Sequence, residues 1–195
     1  MTVIDDIKTV LASTAYYLPT SSPEMAERAA AVRSMATKVR AWLPPELQIG
    51  DELATLKVDA GGQKGGISPT PWVRVFAERY SPSATQGFYR VYLFAGDGSR
   101  VYLSLNQGTS EFRSGHLRLM SSTATLLQRS EAARQFFAGW SGDLVHGLRT
   151  DIDLAVSSLD VGVQPKKRAS NYEAAKRLRA RLRRGHTHHR RSVEV

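Results

Sequence analysis

Eleven lysines and arginines crowd into the last 32 residues of this 195-residue chain: Lys166, Lys167, Arg168, Lys176, Arg177, Arg179, Arg181, Arg183, Arg184, Arg190 and Arg191, against Glu173 and Glu194 alone. The whole chain carries a formal charge of +9, and this tail accounts for all of it, because residues 1–163 hold acidic and basic side chains in equal number. Such a block attracts polyanions at long range and gains a salt-dependent increment for each phosphate it neutralises, but it cannot read a sequence. A solvated basic helix is the alternative. Other reactive groupings are thinner. Gly61-Gly62-Gln63-Lys64-Gly65-Gly66 lacks the Ser or Thr that a phosphate loop places after its lysine, and Gly139-Trp140-Ser141-Gly142 is one residue short of a nucleophile elbow. There is no cysteine, which excludes thiol chemistry and thiolate metal sites. His186, His188 and His189 lie among arginines that oppose a dication, while His116 and His146 are solitary. The acidic residues are scattered rather than gathered for a two-metal nuclease centre. No catalytic residue, metal or cofactor is therefore expected.

The elements that position these residues follow from periodicity and punctuation. Val3, Ile7, Val10, Leu11 and Thr14 recur at helical spacing ahead of Pro19, and residues 24–43 form an Ala- and Arg-rich helix opened by Ser-Pro and stopped by Pro44-Pro45. Residues 53–58 read as a strand, and residues 61–66 as a flexible connection. The centre is β-rich: residues 72–76, 88–94 and 100–105 are aromatic and β-branched runs, the last two joined by a hairpin signal at Gly96-Asp97-Gly98-Ser99. On the middle strand Tyr89, Val91 and Leu93 share one face and Phe88, Tyr92 and Phe94 the other, so both faces are expected to be covered. Residues 123–140 return to helical spacing, residues 151–159 are too short and mixed to assign, and Ser170 with Glu173 caps a basic helix over 171–184. Trp42, Phe136, Phe137 and Trp140 read as core. The expected architecture is α+β, a largely antiparallel central sheet flanked by helices. One domain spans 1–163, followed by a basic C-terminal helix and tail over 164–195. Asp5 and Asp6 interrupt the first apolar stretch and no uncharged apolar run reaches membrane-spanning length, so a soluble, cytoplasmic protein is expected.

Residues 65–111, GGISPTPWVRVFAERYSPSATQGFYRVYLFAGDGSRVYLSLNQGTSE, resemble the McrB-like N-terminal domain of modification-dependent restriction systems. The resemblance rests on Pro71-Trp72 entering a strand, Gly87-Phe88-Tyr89 after a polar loop, the strand RVYLF, a tight hairpin and VYLSLNQGTSE. It implies a module that binds double-stranded DNA and reads a modified cytosine, such as 5-methylcytosine, by turning it out of the duplex into a pocket lined by Trp72, Tyr89 and Leu93. It also implies that motor or nuclease chemistry resides on another domain or a separate partner. One member of the family carries an aromatic residue in the glycine loop before the Trp, where this chain has Gln63 and Lys64 nearby.

The residue chemistry is compatible with that role. A base taken from the stack loses a few kcal/mol that flat partners restore, and Trp and Tyr supply such surfaces. A buried methyl contributes only about 0.8 kcal/mol, so shape and hydrogen bonds would dominate the selection. Lys64, Arg74, Arg79, Arg90 and Arg113 are candidate contacts to the DNA backbone, and Asn106 and Gln107 candidate donors and acceptors for a base edge. The competing reading is packing, since an aromatic or Leu on a central strand is ordinarily core. Two rival functions stand beside the DNA reader: a nucleic-acid-binding module held by its tail without base preference, and a protein-interaction domain whose tail meets an acidic partner.

Overall fold

The computed structural model describes residues 2–45, 55–61, 67–119, 123–141, 152–156 and 159. Two helices come first, α1 over Val3–Thr14 and α2 over Pro23–Trp42. Thr2 and Asp5 exchange backbone and side-chain hydrogen bonds in a capping box that opens α1, and Ser22 accepts from the Met25 N–H to open α2 with Pro23 in its first turn. At its far end Leu43 is extended ahead of Pro44, as the sequence requires.

Four strands follow in order and pair as an antiparallel meander: β1 Leu56–Gly61, β2 Trp72–Ala77, β3 Phe88–Phe94 and β4 Val101–Gln107. The register sets Trp72 opposite Leu93 and Arg74 opposite Val91, while β3 meets β4 with Tyr89 opposite Asn106. One face of this sheet packs Val58, Val73 and Phe94 against Val3, Val10, Val32, Met35 and Val39 of the two helices. The opposite face carries a second cluster of Phe76, Tyr89, Val91 and Leu93, covered by Ile152, Leu154 and Val156. Both faces are therefore covered, as the apolar character of both sides of β3 implies. The covering strip, residues 152–156, lies in a stretch that the sequence left unassigned. It is pinned where the Tyr102 hydroxyl donates to the Asp153 carbonyl and accepts from the Asp153 N–H, and where the Gly96 N–H donates to the Leu154 carbonyl.

The α+β architecture thus stands, with four departures from expectation. The first strand runs three residues later than 53–58, because Gly61 belongs to it and pairs with Trp72. A two-stranded hairpin, β5 Ser110–Arg113 and β6 His116–Leu119, was not anticipated. Its turn residues Ser114 and Gly115 both have positive φ, 51° and 77°, the mirror-image turn that matches strand twist. Trp42 is exposed rather than core, since it lies one helical step beyond Val39, the last buried residue of α2. Phe136, on helix α3 (Thr123–Ser141), is exposed too, because it falls off the stripe on which Leu126 and Ser130 meet β4. The side chains of Phe137 and Trp140, the basic helix expected over 171–184 and the boundary at 163 lie outside the described residues.

Among the described residues, α1 and α2 are joined by an ion pair in which Lys38 Nζ lies 2.6 Å from Asp6 Oδ2, with the Asp6 side chain fully buried. Replacing only the lysine strands a buried carboxylate. Lys38→Met is expected to cost about 2–4 kcal/mol in urea unfolding, and Asp6→Asn combined with Lys38→Met to recover most of that loss.

Candidate functional site

Alternation along β2 sends Trp72, Arg74 and Phe76 to the face away from α1 and α2, and the register brings Tyr89, Val91 and Leu93 of β3 alongside them. On β4 the same face carries Tyr102, Ser104 and Asn106, and on β1 it carries Lys57, Asp59 and Gly61. The three residues singled out for a base pocket therefore do converge. They differ in access. Tyr89 and Leu93 are 4% and 3% exposed, whereas Trp72 is only partly buried at the edge of the cluster. The Tyr89 hydroxyl donates to the Ala84 carbonyl at 2.9 Å, which ties it to the loop between β2 and β3.

Gly61 explains where the indole lies. A Cβ at this position would come within 2.0 Å of the Trp72 six-membered ring, so the ring rests directly on the bare backbone of β1. Only glycine permits that approach. Upstream, the chain that delivers Trp72 to the sheet is tied to α2 and to the link between α1 and α2. Arg28 of α2 donates from Nη2 to the Ser68 carbonyl at 2.9 Å, and Tyr17 donates to the Ile67 carbonyl at 2.8 Å. Arg28 is completely buried, and burial brings its guanidinium down to about 10, with the nearby Tyr17 acting in the opposite sense.

The centre of the face is held by Arg74, expected at the rim as a phosphate contact and found 5% exposed. Its guanidinium carbon sits 3.8 Å from the centroid of the Phe76 ring, 5.8 Å from Tyr89 and 5.9 Å from Trp72. Asp59 Oδ2 is 3.6 Å from Nη2, close enough for attraction and too far for a good hydrogen bond. Nε and Nη1 are buried and find no hydrogen-bond partner among the described residues. A desolvated cation on a ring gains about 2 kcal/mol, while each orphaned N–H costs about 1–3 kcal/mol. The arrangement is therefore poor as a stabilising device, and its departure from the rule that buried donors are satisfied requires another explanation.

The remaining candidates separate by location. Asn106 is buried on this same face and accepts from the Ser104 hydroxyl at 2.8 Å. Gln107 projects to the other side, where Nε2 donates to the Leu126 carbonyl and the Ser130 hydroxyl of α3, so its amide secures a helix. Arg90 is exposed but follows Tyr89 in the chain and so emerges on the helix-side face, away from the cluster. Arg79 is exposed in the loop after β2. Lys64, the side chain of Arg113 and the tail lysines and arginines lie outside the described residues. Phe76, Asp59 and the inward turn of Arg74 escaped the sequence reading, although Trp72, Arg74 and Phe76 stand two apart and must share a face.

Gly61→Ala tests the seat of the indole. The variant is expected to fold, to displace Trp72 from β1 and to shift its fluorescence to longer wavelength in a background where Trp42 and Trp140 are phenylalanine; unchanged emission would contradict this packing.

Among the described residues no helix is long and apolar enough to cross a membrane, and no group of three or more His, Asp or Glu side chains is placed to hold a metal ion. No curated protein and no solved structure matches the chain. The family model described as MrcB-like, N-terminal domain matches residues 15–182, well over half the sequence. That match supports a DNA-binding module of a restriction system rather than a catalytic domain. The chain belongs to the family of MrcB-like N-terminal domains.

Proposed function

We propose that this chain is the specificity module of a modification-dependent restriction or phage-defence system, and that it binds double-stranded DNA by receiving a modified cytosine, turned out of the duplex, on the β2–β3 face. The observation that carries this reading is the convergence of Trp72, Tyr89 and Leu93 on one face of two paired strands, turned away from the helices that hold the fold together. Trp72 is the ring an extruded base meets first, because it alone of the three is partly open. Its indole offers stacking to replace what the base loses on leaving the helix. Asn106 stands on the same face with an amide suited to a base edge. The basic residues of 164–195 add phosphate attraction that is indifferent to the base, with Arg79 and Lys64 as further backbone contacts. Cleavage or translocation belongs to a nuclease or motor, whether in cis or in a separate partner.

A second reading, tail-driven contact without base preference, draws support from the closure of Tyr89 and Leu93 to solvent. One panel separates the two. Duplexes carrying methyl-, hydroxymethyl- and glucosylated cytosine, methyladenine or phosphorothioate are titrated against the full chain at matched salt. The full chain is expected to prefer one modification, and Trp72→Ala to abolish that preference more than it weakens overall attachment. Equal loss on every duplex would remove Trp72 from the pocket. Deleting 164–195 is expected to flatten the dependence of affinity on salt while the modification preference survives; loss of preference with the tail would favour the second reading.

A further inference from the structure

Among the described residues, two arginines are buried with orphaned N–H groups, and only one of them is explained by its surroundings. Arg28 secures the Ser68 carbonyl and thereby the approach to β2. Among the same residues, Arg74 secures no carbonyl. It is held by ring faces and by the loose approach of Asp59, at the middle of the face on which Trp72, Tyr89 and Leu93 converge.

The surroundings restrict what these donors can meet. Asp59 offsets the positive charge, and three aromatic rings turn their electron-rich faces toward the guanidinium, so an anionic phosphate gains little here. A flat, neutral group bearing hydrogen-bond acceptors fits better. A guanidinium presents two forks of parallel N–H donors, Nε with Nη2 and Nη1 with Nη2. In each fork one member is orphaned, and the shared Nη2 is only loosely held. Either fork is satisfied by two adjacent acceptors on one edge of a ring. Cytosine offers N3 and O2 in that relation, and guanine offers O6 and N7. Thymine sets an N–H between its carbonyls, and adenine sets its amino group beside N1 and N7 and leaves N3 with no neighbouring acceptor, so neither offers an adjacent pair of acceptors.

We infer that Arg74 is a specificity-determining residue that reads the extruded base by an adjacent pair of acceptors, admitting cytosine and rejecting thymine. The inference rests on the proposed function above and adds a division of labour to it: Arg74 fixes which base is taken, and the modification at C5, on the far side of the ring from O2, is judged by other side chains.

The test compares 5-methylcytosine with thymine at one position opposite guanine in otherwise identical duplexes, with a third duplex carrying guanine opposite thymine there. Both pyrimidines bear the same methyl, and the mismatched thymine leaves the stack more easily, so opening energy favours the wrong base. The full chain is expected to bind 5-methylcytosine about tenfold more tightly than thymine. Arg74→Met is expected to bring the two within about twofold while retaining attachment to DNA, with thermal stability unchanged or raised because orphaned buried donors are removed. Should Arg74→Met fail to fold, Arg74→Lys takes its place and gives the same loss, since an ammonium lacks the planar fork. If Trp72→Ala abolishes the preference and the Arg74 variant keeps it, the inference is overturned and the pocket reading stands. If the guanine duplex binds best, the acceptor pair is confirmed and the assignment to cytosine is overturned. If the full chain distinguishes none of these duplexes and Trp72→Ala changes nothing, the pocket reading itself falls and the inference with it.

Discussion

The antiparallel pairing of β2 with β3 is the constraint on which the candidate site depends. Because strand side chains alternate, setting Trp72 against Leu93 and Arg74 against Val91 commits Trp72, Arg74, Phe76, Tyr89, Val91 and Leu93 to one side together. A slip of one residue would drive Arg74 toward the helices and carry Val73 out of the core beneath α2. What resists that slip is the cluster on the other face, where Val58, Val73 and Phe94 close against α1 and α2. The packing of the two N-terminal helices thus sets the order of side chains on a surface they do not touch.

Helix α2 and the link that joins it to α1 govern the approach to β2. Arg28 and Tyr17 hold the carbonyls of Ser68 and Ile67, so the chain reaches Trp72 along a fixed path. Among the described residues Arg28 has no carboxylate partner, a costly way to hold a loop, as the drop in its pKa on burial reflects. Its length nonetheless lets a helix reach backbone 40 positions away in sequence. Path and glycine seat together leave the indole little freedom.

Much of this was legible in the sequence. Residues 72–76 and 88–94 were readable as strands because their aromatic and β-branched runs are bounded by turn signals, and the long second helix because Ser-Pro and Pro-Pro mark its ends. The β5–β6 hairpin was missed because its strands are four residues each and mixed in polarity, although Ser114-Gly115 held the turn signal. Trp42 and Phe136 misled because helical phase predicts which way a side chain points but not whether another element lies there. Arg74 was read as a surface cation because an arginine in a strand is ordinarily solvated, and only its spacing from Trp72 and Phe76 indicated an inward turn. The strip over 152–156 lacked any periodic signature, for it covers the sheet without joining it.

Among the described residues, the sheet separates two clusters that share no buried member, one beneath the helices and one around Arg74. Substitutions far enough apart and without common partners combine nearly additively in free energy. Mutational drift on one surface is thereby decoupled from the other. The side chains around Arg74 can therefore be exchanged while the scaffold behind them retains its margin of stability.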